Sequence, residues 1–108
     1  MRRTSTKRQR QAGERFKQSV ADYLASKGAT TSRFYAFEIE TKAGTLFVSP
    51  YEDWIACRFE NVEEAKRLLG NSARLNPYSG KWNFHYSDEA IHTSAPLNDF
   101  TMHLERLL

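Results

Sequence analysis

The chain has 108 residues, of which 40% are hydrophobic and 13% aromatic, and this composition predicts one globular domain rather than a disordered segment. No apolar run is long enough to span a bilayer, and no apolar signal core follows the N-terminus, so we expect a cytoplasmic protein that does not enter a membrane. The single cysteine, Cys57, excludes an internal disulfide and agrees with a reducing compartment.

Charge is distributed unevenly along the chain. Residues 1–33 contain nine Lys or Arg against two acidic residues, a net charge of +7, whereas residues 34–108 contain seven against eleven, a net charge of −4. Clustered positive charge is what contacts with phosphate groups require, because affinity depends on how many phosphates are neutralised together. The same pattern also fits a basic tail that only keeps the chain soluble or folds back onto the acidic body, so both interpretations stay open.

The basic N-terminal part is predicted to be a flexible arm over residues 1–10, followed by a single domain over residues 11–108. From residue 11 onward, apolar residues recur at steps of three and four, which predicts a helix that ends near Gly28. Basic residues occupy the arm and the exposed side of this helix. The candidate nucleic-acid contacts are Arg2, Arg3, Lys7, Arg8, Arg10, Arg15 and Lys17.

Three short strands are predicted after a linker at residues 29–32. In residues 34–41 apolar and polar side chains alternate, which is typical of a half-buried strand. Residues 45–49 and 54–59 continue the extended pattern after two short turns. Because these turns leave no room for a crossover helix, the three strands should be antiparallel.

The second half of the chain adds two helices and one strand. A short helix is predicted between Asn61 and Gly70. Asn61 is its N-cap, and Gly70 ends it. Residues 81–86 alternate strictly and form a fourth strand, and Pro96 begins a C-terminal helix. The order is helix, three strands, helix, strand, helix. We therefore expect an α+β fold in which about three helices pack on one face of a four-stranded, mostly antiparallel sheet, and the other face is partly open.

One polar cluster on the predicted strands could carry catalysis. Its members are Glu38, Glu40, Lys81, Asn83 and His85. A histidine beside a carboxylate can act as a general acid or base, but polar alternation is also typical of any solvent-facing sheet. Ligand spacing typical of zinc sites is missing among His85, His92, His103 and Cys57. We expect no enzymatic activity, no catalytic residue, no bound metal and no cofactor.

Aromatic and arginine side chains in two predicted loops are candidate anchors of a protein interface. One loop is an acidic turn flanked by aromatic residues, and the other lies between the second helix and the fourth strand. The candidate protein-binding residues are Tyr51, Glu52, Asp53, Trp54, Arg74 and Tyr78. The alternative for Trp54 is that it begins a strand and covers the edge of the core.

Two segments carry a resemblance to known proteins. The sequences PYEDWIACRF at residues 50–59 and LNPYSGKWNFH at residues 75–85 resemble parts of small uncharacterised proteins of bacteriophages and other mobile elements. The resemblance covers the central part of the chain and implies no catalytic residues. It implies an accessory protein that binds nucleic acid or disables a host system by binding one of its components.

The sequence therefore predicts a small non-enzymatic binding protein of a phage or mobile element. It would contact nucleic acid, without sequence specificity, through its basic N-terminal arm and helix. The alternative is a protein-binding inhibitor of a host defence system, resembling anti-CRISPR proteins, that binds a host protein complex through its acidic body and aromatic loops. A homodimer formed through the open sheet face is compatible with either function.

Overall fold

The computed structural model describes residues 7–31 and 36–108. In these two stretches the predicted α+β class is confirmed. The elements in chain order are α1 (Lys7–Ser26), β1 (Thr30–Thr31), β2 (Phe37–Thr41), β3 (Gly44–Pro50), β4 (Trp54–Phe59), α2 (Val62–Leu69), β5 (Lys81–His85), a 3₁₀ turn (Ala90–His92) and α3 (Ala95–Glu105).

The strands form one antiparallel sheet in which spatial order follows chain order, from β1 to β5. The predicted antiparallel pairing is confirmed, but the predicted count of four strands is wrong. Thr30 and Thr31, within the predicted linker, pair with β2 as a fifth strand. Two residues are too few to show an alternating pattern, so only the pairing partner makes this segment a strand.

One face of the sheet forms the hydrophobic core with α1 and α3. The strands contribute their alternate residues, and each helix contributes one stripe. The largest fully buried side chains include Trp82, Phe59, Phe84, Phe100, Leu24, Leu46, Ile55 and Leu104. Of the apolar residues that recur along α1, Ala12, Phe16, Val20 and Leu24 are buried, whereas Tyr23 is half-buried. The exposed side of α1 is therefore fixed relative to the sheet.

The chain is already helical at Lys7, earlier than the predicted helix start at residue 11. Gln9 explains the difference. Its side-chain amide donates to the backbone oxygen of Asp88 at 3.0 Å, and its side-chain oxygen lies 2.9 Å from Nε2 of His92. These partners are distant in sequence, so local composition does not reveal them. The remainder of the predicted arm, including Arg2 and Arg3, lies outside the described residues.

Helix α1 approaches the turn between β3 and β4 at Gly13. A Cβ atom at this position would lie 2.7 Å from the Cβ of Glu52 and 3.1 Å from its backbone oxygen. Such distances exclude a side chain larger than hydrogen unless the helix or the turn moves. The close approach holds the turn that carries Tyr51 and Trp54.

The loop at residues 71–80 covers the outer edge of β5. The N–H of Asn83 donates to the backbone oxygen of Arg74 at 3.1 Å. Nη1 of Arg74 then donates to Oδ2 of Asp99 on α3 at 2.8 Å, and the hydroxyl of Tyr86 donates to the same oxygen at 2.9 Å. These bonds tie the loop to α3 and cover the first part of the outer edge of β5.

Candidate nucleic-acid interface

Five cations lie on the first half of α1, and we call them the α1 basic surface. They are Lys7, Arg8, Arg10, Arg15 and Lys17. Residues seven apart in a helix lie on nearly the same side. Arg8 and Arg15 therefore share one flank of the helix, whereas Arg10 and Lys17 share the other.

The α1 basic surface is short of neutralising partners. Nζ of Lys17 lies 3.7 Å from a carboxylate oxygen of Glu14. The other four members are exposed, and none forms an ion pair with any residue that the structure describes. Both cations of α2, by contrast, have carboxylate partners within 3.5 Å. The surface thus holds a cluster of cations available to an external anion.

The sheet face opposite the helices carries three rows of side chains that run across the strands. A charged row contains Glu38, Phe47, Arg58 and Lys81. A middle row of short side chains contains Ser49, Ala56 and Asn83. The third row contains Trp54 and His85. Strand register, rather than proximity in sequence, brings these residues together.

The short side chains of the middle row leave a depression that we call the outer trough. Its volume is about 750 Å³, within the range typical of ligand sites. Phe47, Arg58 and Lys81 line it on one side and Trp54 on the other. The guanidinium of Arg58 lies 5.1 Å from the centre of the Phe47 ring. The trough therefore combines an apolar surface with cationic groups.

Tyr51, Trp54 and His85 form a continuous aromatic stack beside the trough. The ring centres of Tyr51 and Trp54 are 4.6 Å apart with planes 11° from parallel, and those of Trp54 and His85 are 5.1 Å apart with planes 6° from parallel. Tyr51 remains 45% exposed. Trp54 begins β4, as its alternative interpretation proposed, and at the same time lines the trough.

The acidic turn predicted to bind a protein has structural contacts of its own. Glu52 packs against Gly13, and the backbone oxygen of Asp53 accepts a hydrogen bond from the N–H of Tyr86 at 3.0 Å. Both acidic residues are half-buried. The turn is thereby connected to α1 on one side and to the end of β5 on the other.

The remaining two predicted protein contacts lie beyond β5. The guanidinium of Arg74 is engaged by Asp99 and lies 4.6 Å from the centre of the Phe84 ring. Tyr78, by contrast, is 93% exposed. Two backbone N–H groups of its loop donate to the side chain of Asn76 and hold the loop tip. Of this pair, Tyr78 has the exposed side chain, whereas the guanidinium of Arg74 is engaged within the molecule.

The polar cluster considered for catalysis assembles only in part: Glu38, Lys81 and Asn83 line the outer trough, but no carboxylate of the cluster lies near His85. Glu38 and Glu40 lie on β2, whereas His85 lies on β5, and two strands separate them. Three strand spacings amount to about 14 Å, too far for proton transfer. In the stretches with described coordinates, no three His, Cys, Asp or Glu side chains could hold a metal ion together. Cys57 is buried, and burial raises the pKa of its thiol.

Phe47 and Arg58 are site residues that the sequence analysis did not single out. The alternation in β3 and β4 was a usable signal, because it places both residues on the face opposite the buried Val48 and Cys57. Alternation does not reveal, however, that Phe47 and Arg58 are direct cross-strand neighbours. That fact depends on the register set by the β3–β4 turn.

Comparison with protein-family models, with curated proteins and with solved structures finds no match to this chain. Within the described ranges, no helix combines the length and the apolar character needed to cross a membrane. What the protein binds must therefore be inferred from its own surfaces, namely the α1 basic surface, the outer trough and the exposed loop tip at Tyr78.

Proposed function

We propose that this protein is a non-enzymatic nucleic-acid-binding protein that contacts phosphate groups through the α1 basic surface without reading base sequence. The supporting observation is the cluster of four exposed α1 cations that have no carboxylate partner in the described part of the chain. Each phosphate that such a cation neutralises releases counterions, which is the main source of sequence-independent affinity.

Helix electrostatics support the same proposal. The first described turn of α1 holds basic residues and no acidic residue, although the positive end of the helix dipole favours acidic residues there. Like charges near one another on a helix also repel. A bound polyanion relieves both unfavourable terms. The arrangement therefore costs stability in the free protein and favours binding to phosphate.

The cations project from a fixed support. Gln9 bonds to the segment around the 3₁₀ turn, and the buried stripe of α1 holds the helix against the sheet. A rigid surface loses less conformational entropy on binding than a mobile tail. We place the protein in the cytoplasm, as the lack of an apolar span or signal core led us to expect, and in a cell that carries a phage or mobile element, the context that the sequence resemblance implies.

The test compares two double variants of the full chain that lose the same charge from different surfaces. Arg8→Gln with Arg15→Gln removes two unpaired α1 cations, and Lys66→Gln with Arg67→Gln removes the two paired cations of α2. Fluorescence anisotropy of labelled single-stranded and duplex oligonucleotides is measured as salt is raised. In a plot of log affinity against log salt concentration, the α1 variant should have a slope that is less steep by about 1.8 for duplex and by about 1.4 for single strands.

The α2 variant is the matched control and should keep most of the affinity and the salt dependence of the original chain. Equal losses in the two variants would mean that binding follows net charge rather than the α1 surface, and would contradict the proposal. So would an α1 variant that binds as tightly as the original chain.

A protein-binding inhibitor of a host defence system, of the anti-CRISPR kind, is the second candidate function. The observation that favours it is Tyr78, a large aromatic side chain that is 93% exposed on a loop tip held by hydrogen bonds. Exposed aromatic anchors are enriched at protein interfaces. Under this function Tyr78→Ala would abolish binding to a purified host target while the α1 double variant would retain it.

A further inference from the structure

We infer, building on the proposed function, that the outer trough binds nucleotides of a single-stranded nucleic acid whose backbone continues onto the α1 basic surface. Bases in a single strand are free to leave their neighbours and pack on protein side chains, whereas bases in a duplex are stacked inside it. Because of the trough, the protein should prefer single-stranded nucleic acid to duplex.

The apolar part of the trough suits the faces of bases. The Phe47 ring stands on one side and Trp54 on the other, with Ala56 between them in the middle row. Aromatic side chains that stack bases tolerate any sequence, because every base has a π-face. A site of this kind agrees with binding that does not read base sequence.

Two polar groups in the trough lack partners. The hydroxyl of Ser49 and the side-chain amide of Asn83 are half-buried in the lining, and neither is hydrogen-bonded to any described residue. Neither group is fully buried, so each is available to hydrogen-bond a ligand that enters the trough. The donor and acceptor groups on a base edge suit both.

Two cations place the phosphate at one end of the trough. Arg58 and Lys81 are paired neighbours on β4 and β5, both are exposed, and neither has an ion pair within the described stretches. The acidic lining residue, Glu38, lies at the opposite end, on β2. Phosphate is attracted toward β5 and repelled from β2, so the phosphates of a bound strand are expected along β4 and β5.

A second cavity connects the trough to α1. It has a volume of about 460 Å³, and its lining includes Lys17 and its ion-pair partner Glu14 on α1, together with Phe37, Ser49 and Tyr51. Ser49 also lines the trough. A flexible single strand can follow this path around the molecule from the Lys17 flank past Tyr51. A duplex, with a persistence length of about 50 nm, is too stiff to do so.

Trp54 serves as a reporter of the trough in the full chain. Trp82, the other tryptophan, is only 1% exposed in the core, so a ligand-induced change in emission comes from Trp54. Titration with a single-stranded oligothymidylate should change the emission. A duplex of the same length should not, and Trp54→Phe should remove the response while retaining an aromatic ring.

Affinities of a trough variant provide the second readout. Phe47→Leu keeps an apolar side chain but removes the ring, and should weaken binding of the single strand by about tenfold or more while leaving duplex binding unchanged. Met102→Ala removes an exposed apolar side chain of α3 outside the trough and should leave both affinities unchanged. Circular dichroism and urea unfolding establish that each variant folds.

The outcomes separate this inference from the proposed function. Loss confined to single strands supports the trough. Equal effects of Phe47→Leu on single strands and duplex, or none on either, overturn the trough but leave the α1 proposal standing. Absence of any nucleic-acid binding by the original chain overturns both. If the chain is a dimer that Phe47→Leu converts to a monomer, the trough is a subunit interface and the inference is likewise overturned.

Discussion

Arg74 and Arg58 show that neighbours decide whether an arginine can bind an external anion. Arg74 was predicted to contact a protein partner, but its guanidinium forms an ion pair with Asp99. The same carboxylate also accepts a hydrogen bond from the hydroxyl of Tyr86. Arg58 has no acidic partner in the described part of the molecule and lies against Phe47. The two arginines could not be distinguished from the sequence, because Asp99 and Phe47 are not local neighbours of Arg74 and Arg58 in the chain.

Cys57 yields a prediction about the dependence of stability on pH. Burial raises the pKa of its thiol above the ordinary value of 9.0. In the unfolded chain the thiol loses its proton near that value, whereas the folded protein retains the proton. The stabilising contribution is therefore complete below pH 9.0 and is lost as the pH rises above it, by up to about 1.4 kcal/mol per pH unit.

The measurement is urea unfolding of the original chain and of Cys57→Ala at about pH 8 and about pH 10. The free energy of unfolding should fall more with pH in the original chain than in the variant. Burial and the neighbouring Glu105 raise the pKa of Tyr23 to about 12. This shift also lowers the free energy of unfolding as the pH rises, but it does so in both proteins and therefore cancels in the comparison. An identical fall in the two proteins would show that the thiol is not buried.

At the scale of elements, the contact between α1 and the β3–β4 turn is the most specific feature. Alanine at an exposed helix position is favoured over glycine by about 1 kcal/mol. At position 13 the added methyl group would meet Glu52 instead. We expect Gly13→Ala to lower the free energy of unfolding by about 1–3 kcal/mol, the usual range for overpacking, and to shift Trp54 emission by displacing Tyr51.

Urea unfolding followed by circular dichroism measures this effect. Ala25→Gly, at an exposed position of the same helix, is the matched control for helix propensity and should cost about 1 kcal/mol without changing Trp54 emission. A stabilised Gly13→Ala protein would mean that α1 does not approach the turn, and the position of the α1 basic surface relative to the trough would have to be revised.

Elements with strong local signals were predictable from the sequence. For α2, the side chain of Asn61 accepts from the N–H of Glu64 at 3.1 Å, and Gly70 ends the helix with a φ of 58°, as the sequence indicated. Strand β1 and the start of α1 were not predictable, because a pairing partner and the distant bonds of Gln9 create them. Local patterns therefore specified elements better than their boundaries.

The same distinction applies to the candidate site. The exposed side of α1 follows from helix periodicity, so its basic residues could be identified before the fold was known. The outer trough could not, because it requires the register of β2 to β5. The predicted face grouped Glu38 with Lys81 and His85, whereas Phe47 and Arg58 lie between Glu38 and Lys81, and His85 lies in another row beside Trp54.

At the scale of the whole molecule, the two proposed binding surfaces lie on different sides of one sheet. Helix α1 packs on the core face, and the trough opens on the other. The cavity that contains Lys17 and Ser49 joins them at one end of β3. A ligand that uses both surfaces must be flexible and must bend around this end.

Chemical-shift mapping by NMR tests this claim most directly. Backbone amide signals of the labelled full chain are followed as a single-stranded oligothymidylate is added. We expect shifts in two groups, residues 7–17 of α1 and the trough residues of β3 to β5, that saturate together, while α2 stays unchanged. No shifts, or shifts confined to the loop at residues 71–80, would contradict the account.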